Sequence, residues 1–241
     1  MAGQARESAK EGDGMAAKAA AGRPRRERTE NAAKRRRQLI EATIDSIVEH
    51  GLSATTLATV SDGAGLSQGV AVFYFQNKQT LLAETLRYHY EEYNKVWQSV
   101  LAEAPDDPVE KILALVGADL DERICNRRHL ALWNSFWGEA KARPTFAEIC
   151  ETYDSEHTEV LLALCRQAEG LIADPSWSAA TLAEALDTIT DGMWIRMHVT
   201  PDAMDKAAGR RLVGRFLATL LPSRRALIMK RMGGAKATNA N

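Results

Sequence analysis

Trp133, Phe136, Trp137 and Ala140 stand at i, i+3, i+4 and i+7, the spacing that lines one face of an α-helix. Two indoles one turn apart can do more than fill a core. An aromatic face attracts a positive charge by roughly 0.5–2 kcal/mol per ring, most where water is excluded. Trp194 and Tyr153, on other segments, are candidates to close a box around an onium group, with Glu139, Asp154 or Asp191 as counter-charge. The same pattern suits a plain core face, and spacing alone leaves both readings open. Gly192 interrupts a segment of good helix formers at a cost of about 1 kcal/mol against Ala, which the close approach of another helix or of a ligand would explain. His129, His157 and His198 are dispersed, and Cys125, Cys150 and Cys165 form neither a CxxC motif nor a Cys/His cluster. A disulfide scaffold and a zinc site are therefore not expected, and the thiols read as buried. No nucleophile–base pair and no phosphate-cradling loop is visible, so the chain does not read as an enzyme and no cofactor is expected.

A second chemistry lies in residues 55–82, TTLATVSDGAGLSQGVAVFYFQNKQTLL. Thr55 and Thr56 supply cap hydroxyls for a short helix near 57–63, Gly65 breaks it, and Ser67 caps another near 68–74. Two short helices joined by Ala64, Gly65, Leu66 and Ser67 make a helix-turn-helix, whose second helix must present short or polar side chains to base edges. Ser67, Gln68 and Gly69 suit that position, and Gln68 is able to make the paired amide contact to an adenine. Val72 and Phe73 read as outward, toward thymine methyls, while Ala71 and Phe75 read as inward. Tyr74, Lys78 and the hydroxyl of Thr55 or Thr56 are placed for phosphates. An arginine-rich stretch from Arg23 through Arg36 and Arg37 precedes this unit. It can follow phosphates or the minor groove, or serve only as a solubilising arm.

The elements that hold these groups are all helical, with no convincing strand and no repeat. Ile40, Ile44, Ile47 and Val48 define a first helix over 30–50 that Gly51 ends. A long helix runs from Lys78 to about Leu101. Others follow near 108–126, 128–141, 145–169, 178–199 and 203–221, most of them bounded by prolines. On the last two, Leu182, Leu186, Ile189 and Met193, and Leu212, Phe216 and Leu220, form stripes suited to a four-helix dimer interface or to the subunit's own core. Charge is divided: residues 1–37 carry a net +6, residues 222–241 a net +5, and the stretch between a net −12. A basic end on an acidic body suits a polyanion bound at one end. With neither an apolar leader nor a run able to cross a membrane, the expectation is a cytoplasmic protein.

The 55–82 stretch resembles the DNA-binding head of TetR-type repressors at Thr56, Ala64, Gly65, Ser67, Gly69, Tyr74, Phe75, Lys78 and Leu82. It departs at Val72, where many members carry Tyr, so one expected DNA contact is lost. LWNSFWGEAKARP (132–144) and DGMWIR (191–196) resemble the C-terminal domains of choline-responsive BetI-type repressors. The resemblance spans about 33–221. It implies an all-α fold of about nine helices, with a basic arm (1–28) expected to be disordered, a helix-turn-helix domain (29–78), an effector and dimerisation domain (79–222) and a disordered basic tail (223–241). It further implies a homodimer on a pseudo-palindromic double-stranded DNA operator, released by a small, cationic effector such as choline. The alternative is an architectural or protein-interaction factor without an effector.

Overall fold

The computed structural model of the chain describes residues 25–233, with side chains from residue 29 onward. The basic arm up to residue 24, including Arg23, and residues 234–241 lie outside the described residues. Among the described residues the fold is all-helical, with ten α-helices and no strand.

The head is α1 (Arg25–Ala54), α2 (Leu57–Gly63) and α3 (Gln68–Phe75). Leu39, Ile40, Ile44 and Ile47 bury the inner face of α1, as their spacing requires. Its regular course breaks at Gly51, at φ 80°, a region that favours glycine. Thr56 caps α2, accepting from Thr59 N while the Thr59 hydroxyl accepts from Thr56 N. Gly65, at φ 64°, turns the chain toward α3.

A single residue, Gln76, joins α3 to α4 (Lys78–Glu103), before the cap residue Asn77. Gln76 has φ 63° and ψ −50°, and Asn77 N–H donates to Phe75 O at 2.6 Å. This is a γ-turn with positive φ, a conformation costly for a residue with a side chain.

The body comprises α4, α5 (Pro108–Ala118), α6 (Arg127–Ala140), α7 (Pro144–Ala168), α8 (Ala179–Val199), α9 (Lys206–Leu220) and α10 (Arg225–Met232). Pro108 and Pro144 open their helices, and Asp107, Asn126, Ser178 and Asp205 accept from first-turn N–H groups. Helix α5 stops at 118, short of the expected 126. Asp121 turns back to accept from Arg123 N at 2.9 Å, offering the backbone a competing partner. Helix α6 packs on α1 on one side and on α7 and α8 on the other, and so connects head and body.

Helix α10 stands where the sequence reading placed a structureless tail. Ile228 and Met232, one turn apart, are buried, and Arg231 grips Glu110 of α5 through two bonds of 2.8 and 3.0 Å. Gly214 of α9 makes room for it, since a Cβ there would lie 2.8 Å from Met232 Cβ.

Candidate functional site

The outer face of α3 carries no charged side chain. Ser67, Gln68 and Gly69 are exposed at its N-terminus, and the Ser67 hydroxyl makes no capping bond. Val72 is 44% and Phe73 78% exposed, whereas Ala71 and Phe75 are buried. Half-buried Tyr74 meets Phe73 edge-on at 5.2 Å. Lys78 Nζ donates to Ser53 O at 2.8 Å, tying the start of α4 to the end of α1.

One expected phosphate ligand falls away. Thr55 is fully buried, its hydroxyl 3.0 Å from Gly51 O and 3.0 Å from Ser46 Oγ. Of the two threonines, only Thr56 faces solvent. Arg36 lies over the Phe75 ring and pairs with Glu84, bracing α1 against α4 while its side chain stays partly exposed. Arg37 lies over Tyr88 at 5.7 Å yet stays largely exposed.

The second site is a cavity of about 190 Å³ in the body, open to solvent on the side of Asp154 and Asp191. Trp133 and Trp137 of α6 and Trp194 of α8 converge on it with ring centroids 5.8–6.1 Å apart and planes within 29° of parallel. Tyr90 and Tyr93 of α4 close it, edge-on to Trp133 at 4.6 and 6.1 Å. Tyr153, expected in the box, instead stacks on Tyr90 at 5.0 Å and does not line the cavity. Helix α7 turns Asp154, His157 and Thr158 inward in its place. Glu139 is outside, paired with Arg143. An apolar cavity of about 150 Å³ holds a benzene-sized molecule, so this one has room for a compact organic ligand.

Four carboxylates line the cavity: Asp119, Asp154, Asp187 and Asp191, and no Lys or Arg does. Burial pushes Asp119 up to about 7, with Asp187 adding repulsion and the 2.8 Å bond from Tyr93 OH opposing it. Asp154 and Asp191 keep exposed surface, yet partial desolvation in the cleft, with repulsion from neighbouring aspartates, raises each to about 6; Tyr90 OH donates to Asp154 at 3.2 Å. Asp187 is raised by burial against the pull of His157 and Thr158. Tyr90, Tyr93, Asp119 and Asp187 escaped the sequence reading. The tyrosines share a helix face with core residues; Asp119 stands alone at the end of α5, and Asp187, though one turn before Asp191 on α8, lies beside core residues in the sequence.

On its other side Trp133 meets a pair of histidines of α4 and α6. His89 packs on it at 4.3 Å and on His129 at 4.9 Å. The buried Trp133 Nε1 and His89 Nε2 have no hydrogen-bond partner among the described residues. Burial, then His129 and Arg128, hold His89 well below the usual histidine range. In the first turn of the same helix, Arg128 reaches Asp45 at 2.8 Å and Glu41 at 2.9 Å on α1, and Tyr88 OH donates to Glu41 at 3.0 Å. One helix thus carries both two walls of the cavity and a grip on the head.

The expected dimer stripe needs correction. Leu182, Leu186, Met193 and Leu220 are buried within the subunit, with Ile189 and Phe216 half-buried. The outward apolar side chains are Ile195 (45% exposed), Val199 (67%) and Leu212 (46%). Thr188, Gly192, Ile195 and Val199 form the outward line of α8, about 100° round the helix from the buried one. A Cβ on Gly192 would meet nothing within 4 Å inside the subunit.

Residues 39–85 match the family model described as bacterial regulatory proteins of the tetR family, and residues 108–222 that of the BetI-type transcriptional repressor C-terminal domain. The chain is 32% identical over 191 residues to the HTH-type transcriptional regulator BetI of Burkholderia thailandensis, covering 79% of this chain and 95% of the relative. It is 30% identical over 178 residues to that of Stenotrophomonas maltophilia, covering 74% and 88%. Among solved structures it resembles a putative transcriptional regulator from Saccharomonospora viridis in complex with choline, with TM-score 0.68, 19% identity and coverage of 77% and 96%. It also resembles one from Pseudomonas aeruginosa PAO1, with TM-score 0.70, 20% identity and coverage of 81% and 94%.

Proposed function

The chain belongs to the TetR family of transcriptional regulators, with a BetI-type C-terminal domain, and on that premise we propose that it is a homodimeric, cytoplasmic repressor whose operator binding is relieved by a small quaternary ammonium compound of the choline type. The observation that carries the effector class is the convergence of three tryptophans and four aspartates, without one lysine or arginine, on a cavity of about 190 Å³. Indole faces attract a desolvated cation, and carboxylates that repel one another gain from it. A body without a cavity would have suited an architectural protein; this cavity favours the sensor.

On the DNA side, Ser67, Gln68, Gly69, Val72 and Phe73 face the major groove, with Thr56, Tyr74, Lys78 and Arg37 toward phosphates. Twofold symmetry sets two such faces on a pseudo-palindrome. The dimer contact runs along Ile195 and Val199 of α8 and Leu212 and Phe216 of α9, where Gly192 lets the partner helix come close. The three indoles stand too near one another to admit a cation between their faces without moving. Binding therefore shifts α6, and Arg128 passes the shift to Glu41 and Asp45 of α1, biasing the head between DNA-competent and incompetent spacings.

The test is thermal unfolding with choline, betaine aldehyde and the neutral isostere 3,3-dimethylbutan-1-ol. Ligand at 100 times its Kd adds about 2.7 kcal/mol. A shift with the cations and none with the isostere is expected. No shift with either cation removes the choline-type effector and leaves the DNA-binding assignment standing.

A further inference from the structure

We infer that the effector cavity exchanges protons for its cation, so that ligand binding drives protons off the aspartate cluster and the regulator reads cation concentration and pH together. The inference rests on the proposed reading of the cavity as a cation site and adds how that site is regulated. Asp119 closes α5, Asp154 projects from α7, and Asp187 and Asp191 project from α8. Every other charged or titratable lining group is accounted for: Tyr90 and Tyr93 come from α4, His157 comes from α7 beside Asp187 at 3.8 Å, and α6 offers only indoles. Burial keeps His157 toward its neutral form, so nothing in the wall supplies a lasting positive charge.

Asp119 is buried and Asp187 half-buried, while Asp154 and Asp191 stand at the solvent-facing side of the same cleft; four carboxylates gathered this closely cannot all ionise as cheaply as isolated ones, because each added charge raises the cost of the next. The empty cavity relieves this by keeping protons, consistent with the upward displacement of all four groups. A monovalent onium brings one positive charge and no exchangeable proton. Its field favours the ionised form of every aspartate around it, and a carboxylic acid then becomes a carboxylate with its proton leaving to bulk water. Nothing is oxidised or reduced. At pH 8 few protons remain to be displaced, so the exchange belongs to the range between about pH 5.5 and 7.5, set by groups raised to about 6 and about 7.

The experiment is calorimetric titration of the full chain with choline chloride at pH 6.5 in phosphate and in ACES, buffers of small and large ionisation enthalpy, repeated from pH 5.5 to 8. Proton release makes the observed enthalpies differ between buffers. It also makes affinity rise with pH, by about tenfold per unit for each whole proton displaced, and level off near pH 8. Asp191→Asn should reduce both effects. Equal enthalpies in the two buffers with pH-independent affinity overturn proton exchange while the cation site stands. No binding heat with choline or tetramethylammonium at any pH overturns both.

Discussion

Phe73 presents an almost bare ring from a recognition helix that has no charge to offer. An apolar surface reads DNA through the thymine methyl, the one apolar group on a major-groove base edge. Replacing operator thymines by deoxyuridine should weaken wild-type binding by about 0.8 kcal/mol for each methyl that Phe73 or Val72 covers. Phe73→Ala should discriminate between the two operators less than wild type does, and equal discrimination by wild type and variant in gel-shift titrations would refute that role. Gln68→Ala should cost about 1–3 kcal/mol and relax one base position. In the cavity, Trp133 and Trp137 separate two kinds of loss. Trp133 is almost wholly buried, and truncating it costs about 3–5 kcal/mol of stability. Trp137 is half-buried, so Trp137→Ala should melt closer to wild type while losing the choline-induced shift in Tm. A retained shift would show that Trp137 does not hold the cation. The three tryptophans were legible because their size and spacing mark a face. Asp119 and Asp187 were not, because what gathers them is the packing of α5 against α7 and of α7 against α8.

Elements were legible where one face alone is buried, and ambiguous where two are used. Helix α8 buries Leu182 and Leu186 and still offers Ile195 and Val199 outward. The stronger apolar stripe is therefore the subunit's own core, and the weaker one, broken by Gly192, is left for a partner. Val199→Asp should shift the protein toward monomer in sedimentation velocity with its helical circular dichroism intact. Leu186→Asp should lose the helical signal instead. A dimer that persists in Val199→Asp would move the interface elsewhere. Helix α6 predicts differently. The Arg128 ion pairs are partly exposed and worth no more than about 1 kcal/mol to stability. Arg128→Ala should therefore fold, while choline releases its DNA less completely than in wild type. Unchanged release would dismiss α6 as the route to the head. Helix α10 went unseen because two buried residues among basic neighbours, Ile228 and Met232, give too short a period to stand out.

Across the whole molecule, the all-helical character and most of the helices follow from apolar period and proline or glycine punctuation, while the shortened α5 and the added α10 do not. The cavity is a property of how the helices meet, and only its aromatic part left a trace in the sequence. Its charges also act on the fold as a whole. The carboxyls of Asp119, Asp154 and Asp191 ionise near the ordinary value of 3.8 when unfolded and at about 6–7 when folded. The folded state holds the extra protons, so their stabilising contribution is complete below the unfolded value and is lost as pH rises through the folded ones. The ligand-free protein should accordingly gain more Tm from choline at pH 8 than at pH 5.5. Asp191→Asn should raise the ligand-free Tm at pH 8, and calorimetric scans at constant ionic strength showing no such gain would contradict the mutual repulsion.

The γ-turn at Gln76 makes the joint between reading head and sensor a bearing without play. A longer connection would absorb a small tilt of α4 as local slack, whereas a one-residue elbow transmits it to α3 undiminished. Amplification is then geometric: the output is the distance between two distant recognition helices, and a rotation too small to disturb either domain's core is enough to change it. A glycine inserted after Gln76 should leave a protein that still folds and still takes up choline, yet lets go of its DNA less completely in response than wild type does.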